Sequence, residues 1–173
     1  MNQRPASNEY AAYHEQYVSL VPEGDLLQLM SQQIKETTDL LRNITDAQGE
    51  YRYAPGKWSL KEVIGHMSDT ERIMSYRLLR FSRGDQTPLP GFEQDTYVNG
   101  AAFELHSVQD LLEELTAVRH ATLYQLHGLT DEAWGRAGKF SNNDVTVKGI
   151  AYIIAGHQLH HRKIIEELYL SQL

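Results

Sequence analysis

The sequence predicts an all-α protein: a four-helix bundle with long crossover connections. Two observations predict it. Four stretches of about 20 residues carry apolar side chains at helical spacing, and two of the connections, 84–106 and 128–146, are far longer than a bundle hairpin needs. The 173 residues suit one domain, 1–173, with a substantial core.

Residues 1–20 are polar and carry Tyr10, Tyr13 and Tyr17, and they read either as a loose arm or as a strap across the bundle. Pro22-Glu23-Gly24-Asp25 introduces a first helix over about 24–44, with Leu26, Met30, Ile34, Thr37, Leu41 and Ile44 at helical spacing. Ser59-Leu60-Lys61-Glu62 is a capping box that starts a second helix over about 60–82. Its inward face reads Val63, His66, Met67, Thr70, Ile73, Met74, Arg77 and Phe81. Residues 84–106 are loop-like, with Pro88, Pro90, Gly91 and Gly100, and Phe92, Tyr97 and Phe103 could anchor them to the bundle. Extended, this segment could reach about 75 Å. The second helix is only about 35 Å long. The connection can therefore return to the starting end, so the second and third helices are expected to be parallel neighbours.

Ser107 starts a third helix, to about 127, with Leu111, Leu112, Leu115, Val118, Thr122 and Leu126 inward. The second long connection holds Trp134 and the turn-prone Ser141-Asn142-Asn143-Asp144, and Val145-Thr146-Val147 is too short to count as a strand. Thr146 can cap the fourth helix, which runs to about Leu168. No internal repeat or low-complexity tract is present.

Composition removes several functions. There is no cysteine, so disulfides and thiolate metal sites are excluded, and any site must use His, Asp, Glu and water. A net charge of -7 without a local basic stripe argues against a nucleic-acid partner. No run approaches the roughly 18 apolar residues of a membrane span. Met1-Asn2-Gln3-Arg4-Pro5 lacks the apolar core of a signal peptide, so the cytoplasm is the expected location.

The chemistry concentrates in histidines. On the fourth helix His157 and His161 lie one turn apart, about 40° around the axis, in the middle of a stripe built from Ile150, Ile153, Ile154, Ile164, Ile165 and Leu168. Buried imidazoles need partners. A pair at this spacing can share one metal ion, or can be two core histidines bonded to carbonyls, hydroxyls or each other. His66 occupies an apolar stripe in the same way. His14 lies in the N-terminal segment and His106 in a loop. His120 and His127 fall off the third helix's stripe, and His160 points about 100° away from His161. One plausible set of three remains: His66, His157 and His161.

Gly56-Lys57-Trp58-Ser59-Leu60-Lys61-Glu62-Val63-Ile64-Gly65-His66 resembles the hallmark of the DinB superfamily, including its YfiT-like members. His157-Gln158-Leu159-His160-His161-Arg162 resembles that family's second motif, and the two occur in its order and at its spacing. The resemblance covers about residues 20–170. It implies an up-down-down-up bundle, a metal triad of His66, His157 and His161, and a divalent ion, nickel or zinc in relatives. Some relatives are thiol-dependent S-transferases or isomerases using bacillithiol, mycothiol or glutathione, and others were named as hydrolases. Relatives commonly form homodimers, for which Leu159 and Leu78, both off the inward stripes, offer slight support here.

Three neutral imidazoles leave an ion's charge uncompensated and positions open, as in a reactive site. Thiol transfer to a small-molecule electrophile ranks first, with the low-molecular-weight thiol supplied from outside the cysteine-free chain. Metal-dependent hydrolysis ranks second, and metal or ligand binding without catalysis is the third reading. Asp69, Thr70 and Arg77 are candidates for a polar pocket beside the triad. Their structural alternatives are an Arg77–carboxylate pair and a bond from Thr70 to its own helix. Glu93 and Asp95 could approach the site from a loop, and Trp58 and Trp134 read as core plugs. No catalytic side chain is singled out. With unperturbed imidazoles, metal affinity should fall below about pH 6.5.

Overall fold

In the computed structural model, which describes residues 3–173, the four expected helices are α2 (Leu26–Leu41), α4 (Leu60–Ser82), α6 (Val108–His127) and α8 (Val147–Ile164). Short elements join them: α1 (Glu15–Val18), α3 (Asp46–Gly49), α5 (Gln94–Gly100), α7 (Asp131–Gly135) and a hairpin of β1 (Ala137–Phe140) and β2 (Asn143–Thr146). Each long helix starts where the side chain of Asp25, Ser59, Ser107 or Thr146, respectively, accepts a hydrogen bond from an orphan N–H of the first turn. The first helix is shorter than its apolar spacing suggested, because the Asp25 cap sets its start and the chain turns away after Leu41. α8 is followed by a π-helical turn, Ile165–Tyr169, that keeps Ile165 and Tyr169 in the core.

The contacts fix the directions. Glu71 of α4 meets Arg119 of α6, Arg72 meets Glu114, and the Ser75 carbonyl accepts from Gln125, so residue numbers rise together and the two helices are parallel. Leu27 borders the His120–His127 end of α6, and Thr38 and Arg42 border Gln109 and Leu112, so α2 is antiparallel to it. His66 meets His157, and the Tyr169 hydroxyl donates to the Trp58 carbonyl at 2.7 Å, so α4 and α8 are antiparallel. Gln158 of α8 donates to Thr37 of α2. The bundle is therefore up-down-down-up, and the parallel α4–α6 pair follows from the long return of residues 84–106.

That return is not an unstructured loop. α5 and a 3₁₀ turn at Phe103–Leu105 form because Val98 and Phe103 have apolar surface to bury. Phe103 lies so close over Gly65 of α4 that a Cβ there would sit 2.3 Å from the ring. Tyr97, an expected anchor, is instead largely exposed and stacks edge-on with Phe92 at 5.2 Å. The second connection also contains a true strand pair, closed by Ser141 and Asn142 at φ 47° and 64°, the left-handed pair of a tight hairpin turn. Leu89 pairs with this hairpin through bonds to Lys139 and Ser141, tying the two crossovers together.

The N-terminal segment is a strap. Tyr10, His14 and Val18 are buried, the Glu9 carbonyl accepts from the Thr146 N–H at 3.0 Å, and Lys148 pairs with Glu9 at 3.1 Å. Its backbone runs so close to α8 that a Cβ on Gly156 would lie 2.0 Å from the Tyr17 carbonyl oxygen.

The apolar core divides into two clusters, one around Met30, Leu78, Phe81 and Ile150, the other around Leu41, Leu60, Leu111 and Tyr169. Between them lies a polar layer. Arg119 is fully buried and donates to both Glu71 carboxylate oxygens, at 2.8 and 2.7 Å, and to the Met30 carbonyl at 3.2 Å. Leu78, expected on the outside, is also fully buried, because it stands one turn and only about 40° from inward Met74 and packs in the same core cluster. It offers no support for a dimer surface.

Removing one member of the buried Arg119–Glu71 pair strands the other charge. Arg119→Ala and Glu71→Ala are each expected to lower stability by about 3–5 kcal/mol, and the double variant by much less than the sum. Urea unfolding of the four proteins checks this; additive losses would refute the coupling.

Candidate metal centre

The capping box fixes the start of α4 and hence the position of His66. Ser59 Oγ accepts from the Glu62 N–H at 3.2 Å, and Glu62 accepts from the Ser59 N–H at 2.6 Å. Arg52 grips the Glu62 carboxylate from outside. His66 lies less than two turns further on. His157 and His161 lie in the second half of α8, and the antiparallel pairing brings that half against the first turns of α4.

The three Nε2 atoms converge. His157 Nε2 is 3.2 Å from His66 Nε2 and 3.1 Å from His161 Nε2. Each Nε2 carries one hydrogen or one lone pair, so His157 Nε2 can satisfy only one of its two neighbours by hydrogen bonding. Three lone pairs aimed at one cation satisfy all three. With Zn–N bonds of about 2.05 Å, adjacent ligand nitrogens of a tetrahedral site are about 3.3 Å apart, close to the separations here. Among the described residues this is the group of histidines and acids whose ligand atoms lie close enough to hold a metal ion. The donor set, three nitrogens and no charge, suits a borderline divalent cation.

The sequence model of the DinB superfamily matches residues 29–165. The chain belongs to the DinB superfamily. The fold is also that of YfiT from Bacillus subtilis, described as a probable metal-dependent hydrolase with an unusual four-helix bundle topology; the TM-score is 0.77 at 16% identity over 91% of this chain and 98% of that one. A mycothiol-dependent maleylpyruvate isomerase matches with a TM-score of 0.66 at 13% identity, over 80% of this chain and 58% of its own length. No curated protein sequence matches significantly.

Around the three histidines the remaining expectations sort by position. Thr70 does not back-bond to its own helix; its hydroxyl lies 3.4 Å from His66 Nδ1, one turn along α4. Trp58 packs its ring on His66 at 4.6 Å, so it shields the triad, while Trp134 is a core plug. Asp69 points away and pairs with Arg72. Asp95 is exposed, and its charge, felt at His66, only partly offsets the effect of burial there. His160 stacks on Tyr17 and His161 but contributes no nitrogen to the cluster.

A cavity of about 390 Å³ opens on His66 and His157 between α4, the strap and the hairpin. Glu93 borders it from the loop. Arg77 does not pair with a carboxylate; its guanidinium donates to the Pro90 carbonyl at 2.8 Å and lies 4.1 Å above the Phe140 ring. His14 also lines this cavity, buried, with Nδ1 lacking a hydrogen-bond partner. Sequence reasoning placed His14 in the N-terminal segment, arm or strap, and not among the inward histidines. Its tyrosine neighbours, Tyr13 and Tyr17, were the available signal that the strap is an aromatic wall.

Burial dominates the electrostatics. It pushes His66 down from 6.5 to about 4, and holds His157 and His161 well below their ordinary value with help from the neighbouring histidines. Burial, then the Arg77 charge, pushes His14 down to about 4. The triad is thus neutral and ready to ligate at neutral pH, and the onset of proton competition for its nitrogens lies below the pH 6.5 expected of free imidazole.

The same shifts make the metal-free protein acid-sensitive. Folded-state values near 4 against about 6.5 unfolded mean that the unfolded chain binds more protons in that window. Stability is expected to rise as pH increases from about 4 to 6.5 and to level off above, with each histidine contributing on the order of 2 kcal/mol. Urea midpoints after chelation check this. The slope should shrink in His14→Phe; an unchanged slope refutes that residue's share.

Proposed function

We propose that residues 1–173 act as one DinB-like domain whose His66, His157 and His161 hold a single divalent ion, nickel or zinc, and which transfers a low-molecular-weight thiol to a small-molecule electrophile. The observation that carries this is the convergence of three buried, neutral Nε2 atoms at 3.1–3.2 Å on the wall of a cavity. An ion held by uncharged ligands supplies positive charge and open positions, which lower the pKa of a thiol or water that reaches it.

The chain's own residues supply the rest. Thr70 and Trp58 hold the His66 ring in orientation, and Tyr17 packs edge-on against His157 at 5.4 Å. Met74, Phe92, Phe140 and Ile153 give the cavity apolar walls, which exclude water and strengthen the field on developing charge. The thiol comes from solution, because the chain has no cysteine. Hydrolysis is the second reading, favoured by the likeness to a solved structure described as a probable metal-dependent hydrolase. Ligand binding without catalysis is the third. A homodimer in the cytoplasm belongs to the same proposal on family analogy, with half-buried Leu159 as its surface support.

Untagged protein is expected to hold one divalent ion per chain by elemental analysis. His66→Ala, His157→Ala and His161→Ala should each lose it, and His120→Ala should keep it; retention by the triple variant refutes the site. Loaded protein is expected to accelerate attack of glutathione, bacillithiol or mycothiol on small electrophiles, with His66→Ala as control. Turnover with water alone moves the function to hydrolysis, and no turnover with metal bound moves it to binding.

A further inference from the structure

The geometry points to a carboxylate-binding subsite at Arg77 and His14, at the far end of the cavity from the histidine triad, so that the ligand is a small organic acid with an apolar body. This deepens the function proposed above and rests on it for the role of the triad; the anion site itself stands without a metal.

The first observation is an uncompensated buried cation. Arg77 is 4% exposed, yet among the described residues no carboxylate pairs with it. Its hydrogen bonds are one to the Pro90 carbonyl and one long contact, 3.5 Å, to the Met74 sulfur. A guanidinium has five N–H donors, so most of its donor capacity is unused. Buried charges ordinarily have a partner of opposite sign. Arg119 of the same protein shows the alternative, gripped at both carboxylate oxygens by Glu71. Glu93 borders the cavity but makes no ion pair with Arg77. Burial pushes Arg77 only down to about 10, so it is charged at neutral pH.

The second, independent observation is His14. It is 8% exposed, its Nδ1 has no partner, and its ring packs on the Phe140 ring that also carries Arg77. A guanidinium with spare donors and an imidazole whose free Nδ1 donates in its Nδ1–H tautomer therefore flank one aromatic platform in one cavity. A carboxylate accepts from a guanidinium fork through both oxygens and from an imidazole N–H at a remaining lone pair.

The rest of the cavity defines the ligand. Its volume of about 390 Å³ is at the small end for ligand pockets. Arg77 lies three turns beyond His66 on one face of α4, with Thr70 and Met74 between them, and its guanidinium leans back to the Met74 sulfur, so the two ends are closer than the roughly 16 Å of helix rise. A ligand engaging both ends carries its carboxylate several bonds from the group presented to the triad. Met74, Phe92 and Ile153 line the interval and suit an apolar or aromatic body.

The test uses the full chain, as purified and after chelation, with 4-phenylbutyrate and its primary amide as probes in calorimetric titration. The carboxylate is expected to bind both forms about 10–100-fold more tightly than the amide, the value of charge-assisted hydrogen bonds. Arg77→Gln should reduce the acid to the amide's affinity while keeping its metal content. His14→Phe should weaken the acid alone. Should Arg77→Gln fail to fold by far-ultraviolet dichroism, Arg77→Lys, which keeps the charge but loses the fork, is expected to bind the acid at intermediate affinity. Equal binding of acid and amide overturns the subsite, as does wild-type affinity in the Arg77 variants or no binding at millimolar acid. Acid binding that vanishes on chelation and ignores Arg77 also overturns it and assigns the carboxylate to the metal. Loss of metal binding in the triad variants with acid binding intact separates this inference from the metal reading.

Discussion

The structure depends on a polar layer held in the middle of an apolar bundle. α4 contributes to it on two faces. Glu71 meets Arg119 of α6, which reaches on to the Met30 carbonyl of α2. His66 meets His157 and His161 of α8. Buried polar groups are costly when their partners are lost, so this layer sets the register of all four helices at once. An apolar bundle could slide by a turn at modest cost. A slide here would strand a guanidinium, a carboxylate and three imidazoles.

The same layer divides the structure into a supporting end and a working end. At one end Leu41, Leu60, Leu111 and Tyr169 pack into one apolar cluster. At the other the strap and the hairpin stand off α4 and leave a chamber that reaches the triad. Glycines at close approaches allow these additions to sit where they do. Gly156 admits the Tyr17 carbonyl, and Gly138 admits the Phe81 ring. Without that contact at Gly156 the strap could not bring Tyr17 against His157 or hold His14 beside Arg77.

Much of the centre was legible in local pattern. His66, His157 and His161 are the histidines on inward stripes of two long helices, and helical periodicity identifies such residues without knowledge of their neighbours. Leu78 went the other way. It was expected off the stripe, yet it stands about 40° around α4 from Met74, beside the stripe, and is fully buried in the same core cluster. Arg119 and His14 were missed for a different reason. A charged or weakly polar residue is expected outside unless a partner is known, and the partners here lie 48 residues from Arg119 and, for His14, across the strap–hairpin seam.

By itself the sequence determined the four long helices, the starts of three of them at Ser59, Ser107 and Thr146, the parallel α4–α6 pair and the identity of the three inward histidines. Periodicity, capping and chain reach are properties of contiguous segments, so they need no tertiary information. Tertiary structure alone decided that three Nε2 atoms converge, that residues 3–20 form a wall rather than a loose arm, and that Arg77 lies in a cavity with no carboxylate bonded to it. Those facts depend on the axial stagger of antiparallel helices and on which distant loop covers which flank. They are set by the sum of many weak packing contacts, and no short stretch of chain encodes that sum.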